Sequence, residues 1–566
     1  MLSKRISIPI YIATLLFFAV FFFWPIYQIL YGGLFDASGR FSPAFIIEVF
    51  KNNIYIEGLT NALGIAIFST LFALLIAIPL ARVADRYSFP AKKLFMGLAL
   101  LPIMLPPFVG AIGIRQILAQ YGLFNVILET LHLIPEGQGI DWLGREGQFW
   151  GVVIVNTLSL YPILYLNTLA SLANIDPAME EAAQNLGCQG LKKFFTITLP
   201  LIRPGLFAGG TIVFIWSFTE LGVPLIFDFN RVTSVQIFNG LKVMDNNPFA
   251  YALVIVMLAF SLIFYILGKG LFGRNPFSML AKASPARETK TPSKWGQLAC
   301  IALFSAISII ALLPHLSVII ISFSADWYNT LLPEKWTLYN YQLALGNALT
   351  IPSIQNSLFY SGLATILNVT LGIGIALVLV RTHLPGLFLI DTLSMLPLAV
   401  PGLVMAFGYL AMTQKGTFFA FLNPIDNPTT ILIIAYAIRK LPFIVRSAVA
   451  GLEQTSITYE EAAQNLGCPP LKSSFKITFP LILANLVAGC LLVFSQTMLE
   501  VSDSLILAQK QEYYPITKAI YELLNLLGDG PFIACALGVW AMSFLAITIL
   551  GASTLLGKAL GSIFKV

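Results

Sequence analysis

Glu180–Cys188 reads EEAAQNLGC, and the same nine letters stand at Glu460–Cys468. An identity of that length does not arise by chance, so the chain carries an internal repeat. At the same offset Pro162 pairs with Pro442, Pro200 with Pro480 and Glu220 with Glu500. Upstream a second offset aligns Asn61 with Asn356, Arg86 with Arg381, Pro90 with Pro385, Pro102 with Pro397 and Pro106 with Pro401. The change of offset places a shorter outer loop in the second copy.

The composition says what is being repeated. Of 566 residues, 57% are hydrophobic and 11% charged, and the mean hydropathy is +0.83. A chain of this kind has lipid as its solvent. A window of about 19 residues predicts twelve spanning helices near 8–31, 58–81, 94–118, 148–172, 207–227, 248–272, 297–322, 357–380, 387–412, 428–450, 485–507 and 532–557. The fold class expected is therefore all-α integral membrane. Six spans per copy is an even number, so the two six-helix repeats enter the membrane in the same direction and are related by a pseudo-twofold axis along its normal. The halves run 1–272 and 297–566, with 273–296, polar and basic, as a cytoplasmic linker.

Lys4 and Arg5 precede an apolar run too long for a signal-peptide core, which reads as a retained first helix. The clusters Lys4/Arg5, Arg82/Arg86/Lys92/Lys93, Lys192/Lys193/Arg203, Arg274–Lys294, Arg381/His383, Lys472/Lys476 and Lys558/Lys565 fall on one side of this arrangement. By the positive-inside rule that side is the cytoplasm, and both termini lie there. Asp36, Glu48, Glu129, Glu136, Asp141, Asp245, Asp326 and Glu334 occupy the opposite loops. The formal charge of +6 reflects topology rather than a nucleic-acid-binding face.

Each copy of the repeated motif sits in a cytoplasmic loop, 174–206 or 451–484. Pro177 suits a first helical turn, Glu180 and Glu181 favour a helix N-terminus, and Gly187 can end the helix. Ala182 and Ala183 allow another surface to approach, and the two glutamates can offer carboxylates to a basic partner. A single copy would read as an ordinary interfacial helix. Two identical copies at symmetric positions read as docking helices.

The spacing EAA, three residues, Gly, nine residues, Ile-x-Leu-Pro resembles the signature of ABC importer permeases. The first half carries it in Glu181, Ala182, Ala183, Gly187, Ile197, Leu199 and Pro200. The second carries Glu461, Ala462, Ala463, Gly467, Ile477 and Pro480, with Phe479 in place of leucine. The resemblance implies the type I importer permease fold in a bacterial inner membrane, and a coupling helix at each motif. It also implies two copies of an ABC ATPase subunit that bind ATP and Mg, and an extracytoplasmic solute-binding protein. The fused arrangement is similar to permeases for ferric iron, thiamine and phosphonates or sugar phosphates. Ferric iron is the first expectation; a phosphonate, a hexose phosphate or thiamine is the alternative. No GxxxxGK[ST] loop is present, so the chain is expected to have no ATPase activity of its own and to bind no cofactor.

Ionisable residues at mid-depth mark the candidate path, because charge there is costly and pairs or faces a cavity. They are Glu220, Glu500, Asp503, Arg439 and Lys440. The repeat counterparts of Arg439 and Lys440 are Ser159 and Leu160, so the cations belong to one half. Two readings stand: contact with a charged substrate, or a structural ion pair or gate. Pro102/Pro106 and Pro397/Pro401 are expected to kink helices near this path. Cys188, Cys300, Cys468, Cys490 and Cys535 form no CxxC pair, and His132, His315 and His383 are scattered, so no metal cage is expected. A secondary transporter would share the hydropathy but has no use for duplicated EAA loops. An integral membrane enzyme would need a catalytic cluster, and none is evident.

Overall fold

The computed structural model describes residues 4–35, 39–144, 146–241, 248–272 and 289–555. Most of the linker (273–288), the basic C-terminal residues Lys558 and Lys565, and the loop acids Asp36 and Asp245 lie outside these. Helices dominate the described residues, and the one small sheet pairs Ser324–Asp326 with Lys335–Trp336.

In chain order the first-half helices are α1 (Lys4–Phe18), α2 (Trp24–Leu34), α3 (Ala44–Val49), α4 (Asn53–Arg86), α5 (Lys92–Met104), α6 (Pro107–Leu118), α7 (Leu123–Thr130), α8 (Gly147–Ala173), α9 (Pro177–Asn185), α10 (Gly190–Lys193), α11 (Leu199–Phe218), α12 (Gly222–Ile226), α13 (Thr233–Gly240) and α14 (Pro248–Phe272). The second half continues with α15 (Lys294–Ser322), α16 (Tyr339–Gly346), α17 (Thr350–Arg381), α18 (Leu387–Met395), α19 (Gly402–Met412), α20 (Thr429–Gln454), α21 (Thr458–Asn465), α22 (Pro470–Ser473), α23 (Phe479–Met498), α24 (Ser502–Leu507), α25 (Ile516–Leu524) and α26 (Gly530–Leu555).

Among the described residues ten helices are long and apolar enough to cross a membrane, eleven if one bent pair counts as a span. All twelve expected stretches are helical, and proline and charge explain why fewer pass as continuous apolar helices. The stretch read as 94–118 is two helices, because Pro106 and Pro107 remove consecutive backbone donors and hold Leu105 extended. The stretch read as 387–412 bends by 100° between Leu398 and Gly402, around Pro397 and Pro401. These prolines break the helices rather than kink them. The stretch read as 428–450 is helical as α20, but Arg439, Lys440 and Arg446 keep it out of the apolar set.

Two compact units cut across the sequence halves. One contains 1–52, 237–258 and 341–565; the other contains 53–236 and 259–340. Each unit therefore joins the core helices of one half to the first helix of the other. In the first unit the Tyr409 hydroxyl of α19 donates to the carbonyl of Phe21 at 2.8 Å. In the second, α15 packs on α5 and α6, and a side chain at Gly113 would strike the Pro314 carbonyl. A hydropathy profile records each apolar run but not which neighbours bury it. The core of the second unit runs along α4, α8 and α11 through Ala73, Ala77, Leu80, Tyr161, Leu164, Tyr165, Ile202 and Val213, with Phe304 and Ala311 from α15.

Candidate coupling loops and buried charge network

The repeated motif builds the same object twice. In the first copy Asp176 caps α9 by accepting from the Ala178 N–H at 2.9 Å, with Pro177 at the first position. The C-terminus closes as a Schellman turn, with Cys188 N–H on the Ala183 carbonyl at 2.9 Å and Gly187 N–H on Gln184 at 2.9 Å. In the second copy Cys468 and Gly467 make the equivalent bonds to Ala463 and Gln464 at 3.0 and 2.9 Å. This turn needs left-handed backbone at the glycine, and φ is +80° at Gly187 and +86° at Gly467. A Cβ at either position would meet nothing within 4 Å, so the requirement is conformational. It leaves Leu186 88% and Leu466 89% exposed at the two tips.

The acids of the motif divide their work. Glu181 and Glu461 are exposed, as are Ala182 and Ala462. Glu180 and Glu460 are buried, which corrects the expectation that both glutamates of each motif face a partner. Glu180 accepts from Arg86 at 2.9 Å, Lys193 at 3.1 Å and Thr198 at 2.9 Å. Glu460 accepts from Arg381 at 2.9 Å and Thr478 at 2.9 Å. Both threonines end a single π-turn, Phe194–Thr198 or Ser474–Thr478, just before the Leu-Pro or Phe-Pro pair. Pro200 and Pro480 have no N–H for the carbonyl four residues back, and the wider turn absorbs that loss. Ile197 and Ile477 are half-buried within these turns.

The four charges expected at mid-depth in the second half converge. Arg439 on α20 pairs with Glu500 and reaches Asp503 at 3.2 Å, while Lys440 meets the other Glu500 oxygen at 3.0 Å. Two cations and two anions cancel, as burial demands. Asp503 is 0% exposed, and its Oδ1 has no hydrogen-bond partner among the described residues. Thr517 donates to the Glu500 carbonyl at 2.7 Å, as does Ser504, whose hydroxyl lies 2.6 Å from that of Tyr436. Gly402, just past the break before α19, leaves room for the guanidinium, since a Cβ there would run into it. Gly402→Ala is expected to cost about 1–3 kcal/mol, the usual effect of overpacking, read as a lower Tm of the purified protein.

Glu220 is the fifth candidate. It lies in the other unit, in the gap between α11 and α12, as Glu500 lies between α23 and α24. Both were expected well inside a continuous span, and both instead mark a helix break. In the first half the reason is Pro224, which has no N–H for the Glu220 carbonyl; Ser234 Oγ donates to it instead at 2.6 Å. The Glu220 side chain accepts from the Gly222 and Val223 N–H groups at 3.0 and 3.3 Å, starting α12. Asn61 and Asn356 fasten the segments beyond the two breaks, through the carbonyls of Arg231 at 2.7 Å, and of Glu512 at 2.8 Å and Tyr514 at 3.2 Å. No three His, Cys, Asp or Glu side chains form a metal-holding group among the described residues.

The family model described as "Binding-protein-dependent transport system inner membrane component" matches residues 70–274 and 368–553, covering both repeats. The chain belongs to this permease family. The permease is 27% identical over 500 residues to the ferric transport system permease protein FbpB of Actinobacillus pleuropneumoniae, covering 87% of this chain and 69% of that one. It is 28% identical over 493 residues to putative ferric transport system permease protein FbpB 1 of Haemophilus influenzae, covering 85% and 75%. A bacterial alginate ABC transporter solved with its alginate-bound periplasmic protein aligns with 48% of the permease and 94% of the matched chain, at 19% identity and a TM-score of 0.40.

Sequence reasoning found the two motif helices and the four charges that converge. It missed the anchors Arg86, Arg381, Thr198 and Thr478 as partners of Glu180 and Glu460. Their signal was present: Arg86 and Arg381 recur at equivalent positions at the ends of long helices, where they had been read only as topology markers.

Proposed function

We propose that this permease forms the membrane path of an ATP-driven importer for ferric iron. Its substrate would arrive on an extracytoplasmic binding protein, and two separate ATPase subunits carrying ATP and Mg would each engage one EAA loop. The observation that carries the reading is the pair of loops, α9 with Leu186 and α21 with Leu466, built alike and exposed alike. Ferric permeases similar over most of their length supply the substrate. Their basic residues support a cytoplasmic position for both loops and both termini. The mutual cancellation of Arg439, Lys440, Glu500 and Asp503 supports a structural or gating role for them rather than direct capture of a charged solute.

The test is ATP hydrolysis and solute uptake by the permease reconstituted with its ATPase and binding protein, offered ferric iron, thiamine, phosphonates and hexose phosphates in turn. Stimulation by ferric iron alone is expected; stimulation only by a phosphorus-containing anion would replace iron as the cargo. In the same assay Gly187→Asp with Gly467→Asp is expected to abolish uptake while leaving membrane insertion intact, because a Cβ disfavours the left-handed turn at each tip and the carboxylate adds charge beside the exposed leucine. Unimpaired uptake would remove the loops from the mechanism.

A further inference from the structure

Each exposed loop is tied to its bundle by one buried carboxylate, and the tie runs to a helix that is not its neighbour in the chain. Arg86 and Arg381 are the last residues of α4 and α17, which are 34 and 32 residues long. Those helices pack along α8 and α11 in one unit and along α20 and α23 in the other. The chain itself connects α9 only to α8 and, through the π-turn, to α11; likewise α21 connects only to α20 and α23.

A single π-turn is the soft point of a helix, because its hydrogen-bond register is already shifted. A buried, charge-assisted pair is the stiff one. A push on α9 or α21 is therefore absorbed in part along the chain and passed on through the carboxylate. The arginines are themselves held on several sides. Arg381 also donates to the carbonyls of Leu452 and Thr455 at 3.0 and 2.9 Å, gripping the end of α20. The Arg86 carbonyl accepts from the Lys290 N–H at 2.9 Å, and one turn earlier the Arg82 guanidinium lies 4.5 Å from the centre of the Phe194 ring in the π-turn.

We propose that Arg86–Glu180 and Arg381–Glu460 are positioning links that make α4 and α17 move with the docking helices. The inference rests on the importer reading and assigns these four residues the transmission of the ATPase stroke. Glu181 and Glu461, one residue on, stay exposed and free of this duty.

The experiment compares Arg86→Gln with Arg381→Gln, and Arg86→Lys with Arg381→Lys, in the reconstituted complex. The readout is ferric iron moved per ATP hydrolysed. A link worth the usual coupling free energy predicts a fall of about tenfold or more in that ratio for the glutamine pair, with the ATPase still co-purifying. The lysine pair, which keeps charge but loses the fork, should lie between it and wild type. If the glutamine pair does not reach the membrane, the lysine pair decides alone. An unchanged ratio in either recovered pair, or parallel loss of hydrolysis and uptake, would overturn the proposal. Hydrogen exchange at the ends of α4 and α17, with and without ATP, needs no knowledge of the cargo. An ATP-dependent change present in wild type and lost in the variants supports the link even if wild type moves no iron, a result that would sink only the substrate reading. The same change retained in the variants would overturn the link.

Discussion

Replacing Arg439 with methionine is expected to abolish transport and to destabilise the second-half bundle by about 3–5 kcal/mol, the order seen when one partner of a buried ion pair is removed. Arg439 is the cation shared by Glu500 and Asp503, and Lys440 reaches only Glu500. Without the guanidinium, Asp503 is left wholly buried with no hydrogen-bond partner for either oxygen among the described residues. Thermal unfolding of the detergent-purified protein measures the loss. Arg439→Met combined with Asp503→Asn keeps the network neutral through Lys440 and Glu500, and should recover most of the stability. If uptake stays absent in that stable variant, the network acts as a gate and not only as packing. An unchanged Tm in Arg439→Met would refute the closed network, and a changed substrate preference at normal stability would restore the substrate-contact reading.

Leu186→Glu together with Leu466→Glu should detach the ATPase while leaving the permease as stable as before. Both leucines are almost fully exposed, and surface substitutions of this kind change stability by about 0.5 kcal/mol or less. An apolar anchor removed from the centre of an interface costs about 2 kcal/mol or more, and burying a carboxylate in its place adds a desolvation penalty. Co-purification of the ATPase should be lost in the double variant and weakened in either single one. Retention of the subunits at wild-type levels would move the docking surface elsewhere, with the exposed Phe195 and Phe475 next to be tested.

How much of this could be read in advance varied with the kind of interaction. The first motif helix was legible down to its ends, because Pro177 and Gly187 act through local backbone preference. The helix breaks were half legible: the repeated prolines were seen, but a kink and a full break differ only in whether neighbours take up the freed backbone groups. Ser234 does this for the Glu220 carbonyl from 14 residues away. The direction in which Glu180 points could not be read, since it depends on Arg86, 94 residues distant.

The sequence by itself determined an all-α membrane chain with an internal repeat and two copies of one nine-residue helical motif, because hydropathy, helix ends and literal repetition are local properties. Only the tertiary structure decided that α1, α2 and α3 pack in the unit of the second half, that Glu180 and Glu460 are buried against Arg86 and Arg381, and that Arg439, Lys440, Glu500 and Asp503 cancel one another. Each of these rests on contacts between residues far apart in the chain. Burial makes such contacts obligatory for a charge, but burial does not name the partner.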